Sequence, residues 1–446
     1  MFADSTGTIE TRVMYNKICL QHRLQQALTC ACCFIASPAV GQRTSLSFDC
    51  PDFAGGLGEP IRTVQYLAAD ALEGRFSGSA GEACAAQYIA HIFEVLGLRP
   101  AGNSGFFQEV PLASVMTPHA PVGVGRNVLG LLRGSDEHLA ETVVVIGAHY
   151  DHLGFGEFGS TGKVGAIHNG ADDNASGVAA MIEAAELLSR GPRPDRSILF
   201  IAFTGEELGL IGSGFYTREP AFSLENTSAM VNLDMVGRLG VDAMIVYGTG
   251  TAPQWEEIIS LANEGPSIPL VFEPSGFGPS DHTSFYTHDS PVLHLFTNVH
   301  GDYHGNTDDW DKIDGDGLVR VGQFTANVTR TIANWPTQLT VVPAVGEQAP
   351  RTGGGSEVWL GTVPDFTPVD FGVLLAGVTD GSPAEAAGLQ KGDILIRIGR
   401  FDIGTLQAFS DALAEHKPGD EVLLRYVRNG RVLEAETRLG DRADRP

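Results

Sequence analysis

Apolar residues recur at three- and four-residue spacing in TVQYLAADAL (63–72) and AAQYIAHIFEVLGL (85–98). This period predicts helical structure from about Pro60 to Gln108. From Thr142 onward the texture changes. VVVIGAHYDHLG reads as a buried strand running into a loop, and GVAAMIEAAELLSR as a strongly amphipathic helix stopped by GPRPD. SILFIAFTG and SAMVNLDMVG are two further buried strands, AMIVYG and PVLHLFT supply two more, and GLVRVGQFTANVTRTIANW closes the region as a helix. Strands that are apolar at nearly every position are buried on both faces. Separated by helices, they predict an α/β fold: a three-layer αβα sandwich on a mixed, mostly parallel sheet. Ligands of such folds sit beyond the carboxyl ends of the strands, where this chain places its polar residues. VVPAVGEQAPRTGGGSE then reads as a flexible linker, followed by short strands, one helix and Gly/Asp turns ending near Leu439. No internal repeat is visible.

A length of 446 residues fits two domains with a tail, and 43% apolar with 19% charged residues excludes disorder throughout. The net charge of −25 argues against non-specific nucleic-acid binding and against adhesion to anionic membranes. Four of the six cysteines precede residue 40, and the remaining two, Cys50 and Cys84, form neither a disulfide scaffold nor a CxxC pair. Sequence leaves open whether these two pair. The segment MYNKICLQHRLQQALTCACCFIASPAVGQ has Lys17 and Arg23 ahead of a short apolar run, Ala27 to Ala36, with small residues around Ala36, Ala39 and Gly41. It predicts a removable export signal within residues 1–42 and a periplasmic or extracellular protein. A start at Met14 would account for the ill-fitting residues before it. The alternatives are a disordered cytosolic tail and, through a loose lipobox match at Leu28-Thr29-Cys30, a lipid anchor. The run is too short to span a bilayer, and no other segment could.

Five short clusters at strand ends carry the candidate chemistry: AHYDHLG (His149, Asp151), GADDNASG (Asp172, Asp173), FTGEELGL (Glu206, Glu207), NLDMVGR (Asp234) and DYHGNTDDW (His304, Asp308). One carboxylate after a strand is often only a helix N-cap. Capping needs no histidine and no adjacent acid pair, so five such clusters point elsewhere. Two histidines with several Asp and Glu match the donor set of a two-zinc catalytic site, in which oxygen supplies the bridge.

These motifs, in this order, resemble the co-catalytic di-zinc aminopeptidases, whose superfamily includes glutamate carboxypeptidase and glutaminyl cyclase. The resemblance spans roughly Pro60 to Trp335. It implies two zinc ions held by His149, Asp173, Glu207, Asp234 and His304, with Asp173 rather than Asp172 as the bridging carboxylate. His149 and Asp234 would share one metal, Glu207 and His304 the other. Glu206 would be the general base, Asp151 the group that orients His149, and Tyr303 an oxyanion donor. The family also holds the peptide bond after the bridging aspartate in cis, here Asp173–Asn174. SDHTSFY (280–286) resembles a segment lining the substrate pocket, which makes Asp281 and His282 candidate contacts. The alternative for His282, and the reading for His152, His168, His294 and His300, is a loop or core residue.

The chemistry accounts for these residue types. Amide hydrolysis needs a proton acceptor not tied to metal, which then protonates the leaving amine, and Glu206 beside a ligand Glu207 could serve. A neutral ligand histidine needs a partner on its other ring nitrogen, for which Asp151 is the candidate.

In the C-terminal part, EVWLGTVPDF, SPAEAAGLQKGDILIRIG, LQAFSDALAEH and PGDEVLLRYVRNG resemble a PDZ domain of the bacterial protease-associated kind. That implies a C-terminal peptide ligand added to a sheet edge, its carboxylate held at Trp359 to Thr362, or else a purely stabilising domain. The expected organisation is thus a signal and tail at 1–42, a di-zinc peptidase domain at 46–340, a linker at 341–356 and a PDZ domain at 357–440. The expected activity is removal of N-terminal residues from peptides. The alternatives are a carboxypeptidase or dipeptidase of the same fold, and a catalytically silent zinc fold that presents its PDZ domain.

Overall fold

The computed structural model describes residues 50–52, 57–112, 123–157, 159–240, 243–343, 358–364, 369, 371–379, 381–404 and 406–441. The chain divides into units 1–47 and 48–446, and the first, with all of the expected signal segment, lies outside the described residues. So does most of the expected linker.

In chain order the first elements are α1 (Pro60–Leu67), α2 (Ala80–Val95), β1 (Arg99–Pro100), β2 (Phe107–Pro111), β3 (Val124–Leu132) and β4 (Val143–His149). There follow α3 (Gly177–Arg190), β5 (Ser197–Phe203), α4 (Ile211–Arg218), β6 (Thr227–Leu233), β7 (Met244–Tyr247), α5 (Trp255–Ala262), β8 (Leu270–Glu273), α6 (His282–Tyr286), β9 (Val292–Phe296) and α7 (Gly315–Ala333). The helical reading of 60–108 therefore holds only to Val95. Gly97 adopts φ +73°, its N–H bonds Glu94 and that of Leu98 bonds Phe93, so the helix closes there and the chain turns into strands. The start of α2 is capped by Ser79, whose hydroxyl accepts the Glu82 N–H at 3.1 Å, while the Glu82 carboxylate reaches back to the Gly78 N–H at 2.7 Å.

The sheet runs β1-β3-β5-β4-β6-β9-β7-β8, with β2 also on β3. Its central run β5-β4-β6-β9 is parallel, whereas β1, β2 and β5 pair antiparallel with β3, and β7 with β9. Alternation along each central strand fills two cores. Val144, Ile146, Ile198, Phe200, Val231 and Leu293 join Met181, Leu188, Val321 and Phe324 of α3 and α7 on one face. Val143, Val145, Leu199, Ile201 and Met230 meet Tyr216 of α4 and Phe285 and Tyr286 of α6 on the other. The period of two thus yields three layers, and each fully buried Val, Leu, Ile or Phe contributes roughly 1.5–3 kcal/mol. Packing continues past α7: Leu339 is buried, the Val342 N–H bonds Thr251 O, and the Tyr286 hydroxyl bonds Val342 O.

The C-terminal elements are β10 (Val358–Trp359), β11 (Thr362–Pro364), β12 (Val373–Val378), α8 (Pro383–Ala386), β13 (Ile394–Ile398), β14 (Phe401–Asp402), α9 (Leu406–Ala414), β15 (Glu421–Arg428), β16 (Arg431–Arg438) and β17 (Gly440–Asp441). They form an antiparallel sheet, β11-β12-β13-β15-β16, around a separate core that includes Leu360, Leu395, Ile398, Leu424 and Tyr426. No helix among the described residues is long and apolar enough to cross a membrane.

Candidate metal centre

The parallel strands deliver their carboxyl ends to one rim of the sheet. There β4 ends on His149, Asp234 follows β6, Glu206 and Glu207 lie just beyond β5, and Tyr303 and His304 come from the loop after β9. Asp173 comes from the irregular turn Ala171–Ser176 that opens into α3, and its peptide bond to Asn174 is cis. Gly170 starts this turn at φ +55°, and a Cβ there would lie 2.1 Å from the Asp173 carbonyl, so only glycine fits. The Asn174 side chain ties the turn to the loop after β6, accepting the Met235 N–H at 3.1 Å and donating to Leu233 O at 3.0 Å. The Asp308 carboxylate accepts the N–H groups of Asp172 and Asp173 at 2.8 and 3.1 Å, and is itself held by Arg238 at 2.6 Å.

The two oxygens of Asp173 face different partners. Oδ1 lies 3.3 Å from His149 Nε2, which is 3.3 Å from Asp234 Oδ1. Oδ2 lies 3.2 Å from His304 Nε2, which is 3.3 Å from Glu207 Oε2. Neighbouring ligand atoms on a tetrahedral zinc with bonds of about 2.0–2.1 Å stand about 3.3–3.4 Å apart. The observed spacings match that edge, so these residues fit the ions that the motifs imply. The other ring nitrogens are engaged: His304 Nδ1 lies 3.0 Å from Gly159 O, and His149 Nδ1 lies 3.2 Å from Asp151 O. Each contact fixes Nδ1 as donor and leaves Nε2 for a metal.

Asp172 points elsewhere, to the Gly237 N–H at 2.7 Å and to His300 at 3.1 Å. Asp151 is fully buried, but it is the Asp151 carbonyl that meets His149 most closely. Its carboxylate, 3.7 Å from that ring, accepts the Ser77 hydroxyl at 2.8 Å and the Glu206 N–H at 3.2 Å. The half-buried Tyr303 stacks on His304 with ring centroids 3.9 Å apart. Asp281 and His282 have no exposed surface and do not line an open pocket; the His282 ring stacks on His294 at 4.4 Å. His152, read as a loop or core residue, belongs to the centre. Its Nδ1 lies 2.7 Å from Glu207 Oε1. It also lies 4.0 Å from Asp173 Oδ2, and the ligand atoms of His152, Asp173 and Glu207 lie close enough together to hold a metal, as do those of His149, Asp173 and Asp234. His152 follows Asp151 directly in sequence, but nothing local marks it as a partner of Glu207.

The electrostatics follow from so many acids in one place. Burial disfavours the charged form of His149, yet Asp234, Glu206, Asp151 and Asp173 together raise its pKa well above the ordinary histidine value. His304, likewise opposed by burial but facing Glu207 and Asp173, is pushed up to about 9. Loss of hydration raises the Glu206 carboxyl well above the carboxylate range; the His149 charge opposes the rise, and Asp234 and Glu207 add to it. These shifts hold both histidines and Glu206 towards their protonated forms, at the place where the motifs imply cations.

Residues 127–329 match the family model described as peptidase family M28, and residues 360–439 that of the PDZ domain. The chain is 32% identical over 175 residues to leupeptin-inactivating enzyme 1 of Streptomyces exfoliatus, covering 39% of this chain and 36% of that protein. It is 31% identical over 166 residues to aminopeptidase YwaD of Bacillus subtilis, covering 36% and 33%. It thus spans about a third of the length of these curated relatives. Among solved structures, a zinc-dependent exopeptidase from Parabacteroides distasonis matches with a TM-score of 0.51 at 20% identity over 64% of this chain and 99% of the other. A leucine aminopeptidase precursor from Bacteroides thetaiotaomicron matches with a TM-score of 0.50 at 19% identity, over 64% and 99%. At these identities the structural matches speak to the fold. Motif order, strand topology and family match agree: this chain carries a peptidase family M28 domain followed by a PDZ domain.

Proposed function

We propose that the protein is an exported aminopeptidase that uses two zinc ions, held by His149, Asp173, Asp234, Glu207 and His304, to remove N-terminal residues from peptides. The observation that carries this reading is Asp173, whose two oxygens each face a separate His–carboxylate pair at ligand spacing. When bound, the two ions supply an acidified water and polarise the scissile carbonyl. Glu206 would take a proton from water as its oxygen attacks the scissile carbonyl, and would give that proton to the amine as the C–N bond breaks. Its main chain is fixed through the Asp151 carboxylate, so the side chain is aimed without being tied to metal. Tyr303, braced on His304, donates its hydroxyl to the oxyanion. The relatives' names support aminopeptidase chemistry. Export is supported by the signal-like N-terminus and by the Cys50–Cys84 disulfide, a bond that persists in oxidising compartments. The PDZ domain would take an extended C-terminal peptide near Trp359 to Thr362.

The test is elemental analysis of the full chain together with release of nitroaniline from aminoacyl-nitroanilides and from their N-acetylated counterparts. Two zinc ions per chain and cleavage only of the free-amine substrates are expected. Binding of no more than one ion after zinc is restored, or attack confined to C-terminal residues, would overturn the reading.

A further inference from the structure

Arg75 has no exposed surface and makes no ion pair among the described residues. Its guanidinium meets only main-chain oxygens: Nε donates to Tyr150 O at 2.8 Å, Nη1 to Asn169 O at 2.6 Å and to Leu67 O, and Nη2 to Gly170 O at 3.0 Å. A buried cation without a carboxylate partner is costly unless something else offsets it. Here the offset is the four carbonyl dipoles and the negative field of Asp151, Asp173, Asp308 and Glu207. Burial lowers the guanidinium pKa to about 10 and these acids hold it up, so it stays charged at neutral pH.

The acceptors are informative. Tyr150 stands between His149 and Asp151, and Asn169 and Gly170 lead directly into the turn that carries Asp173. One planar group thus spans the two loops whose side chains meet at His149 and Asp173. Neighbouring residues reinforce the join. The Arg75 carbonyl accepts the His152 N–H at 3.2 Å, and the Gly74 carbonyl that of Gly154 at 3.1 Å. The Ser77 hydroxyl donates to Asp151, and the Glu82 carboxylate accepts the hydroxyls of Tyr150 and of Thr204, two residues before Glu206. Gly74, at φ +68°, lets the backbones close: a Cβ there would lie 2.4 Å from His168 O.

We propose that segment 73–82 is a positioning element of the metal centre, in which Arg75 sets the spacing of the His149 loop and the Asp173 turn and Ser77 aims Asp151. The inference rests on the two-zinc reading above. Lysine keeps the charge but offers donors from a single point, so it cannot span the four carbonyls that the fork reaches.

The experiment measures zinc affinity of the full chain by competition with a chelator, the electronic spectrum of the cobalt-substituted protein, and Tm with and without zinc, for the parent and for Arg75→Lys. Expected are a zinc affinity lower by about tenfold or more, an altered cobalt spectrum and a smaller rise in Tm on adding zinc. A general packing role would lower Tm equally in both states. Zinc affinity and cobalt spectrum equal to the parent's would overturn the inference, whatever the Tm. Should Arg75→Lys fail to fold, Ser77→Ala carries the test: several-fold weaker zinc binding supports the proposal and unchanged binding refutes it. A parent chain that binds no zinc would refute the metal reading itself, so the two failures are distinguishable.

Discussion

Glu82 is fully buried at the start of α2, and burial pushes its carboxyl from 4.5 to about 7 against the hydrogen bonds of Thr204, Gly78 and Tyr150, with Asp151 adding to the rise. Replacement by glutamine is nearly isosteric and can keep the network. The amide oxygen accepts the Gly78 N–H, while its nitrogen donates to the hydroxyls of Tyr150 and Thr204. Tyr150 is then free to donate to Arg126 O, only 2.6 Å away. The sign follows from the direction of the shift. The folded chain binds the Glu82 proton more tightly than the unfolded chain. This stabilisation is full below about pH 4.5 and is lost as pH rises through about 7. At roughly 1.4 kcal/mol per pH unit, the loss is on the order of 3 kcal/mol. Glutamine does not ionise and loses nothing.

Glu82→Gln is therefore expected to gain on the parent progressively between pH 5 and pH 8. The assay is thermal unfolding of both proteins across that range in chelator, because bound dications would draw the Glu82 carboxyl down and shrink the effect. With about 2–4 °C per kcal/mol for domains approaching this size, the gap in Tm should widen by several degrees. Parallel curves, or a parent that gains on the variant as pH rises, would refute the reasoning.

Three further outcomes are expected. Glu206→Gln should keep both zinc ions and near-normal KM while kcat falls by on the order of a hundredfold or more, whereas Glu207→Ala should lose zinc; metal analysis beside steady-state kinetics separates the two. Cys50→Ser opens the disulfide to Cys84 across 34 residues and should cost up to about 4 kcal/mol, read as a lower denaturation midpoint. A chain ending at Pro343 should fold and cleave small substrates, whereas one ending at Gln338 loses buried Leu339 and the Val342 hydrogen bonds to Thr251 and Tyr286 and should melt earlier in a thermal scan.

The central strands were legible because burial on both faces makes β4, β5, β6 and β9 apolar at nearly every position. The antiparallel flank was not. β3 contains Gly125, Arg126, Asn127 and Gly130 and breaks the strand pattern, since Asn127 is a buried polar hub that donates to Gln108 and Gly212 and accepts the Thr204 N–H. The donors at strand ends stood out by residue type. Choosing between Asp172 and Asp173 needed the resemblance, because an irregular turn has no periodicity from which to tell which carboxylate faces inward. His152 and Arg75 lay beyond reach for a related reason. Their partners are a side chain and carbonyls on loops distant in sequence, and nothing local marks them.

The acidity of the centre also bears on how the protein meets its metal. Asp173, Asp234, Glu206 and Glu207 surround two histidines that these acids hold towards the imidazolium form, and burial holds Glu206 towards its protonated form. On the two-zinc reading proposed above, zinc would displace those protons, so its affinity is expected to rise with pH and its loading to release acid. Arg75 is different in kind. A guanidinium cannot be displaced in this way, and it donates only to carbonyls, taking up no carboxylate oxygen of the centre. The fold thus separates two uses of positive charge: an exchangeable one at the ligand atoms, given up when metal arrives, and a permanent one beneath them that holds the loops in register in both states. Had Arg75 paired directly with Asp173 or Glu207, it would have competed with zinc for the same oxygens. Its placement on the carbonyls of Tyr150, Asn169 and Gly170 preserves the field without blocking the site.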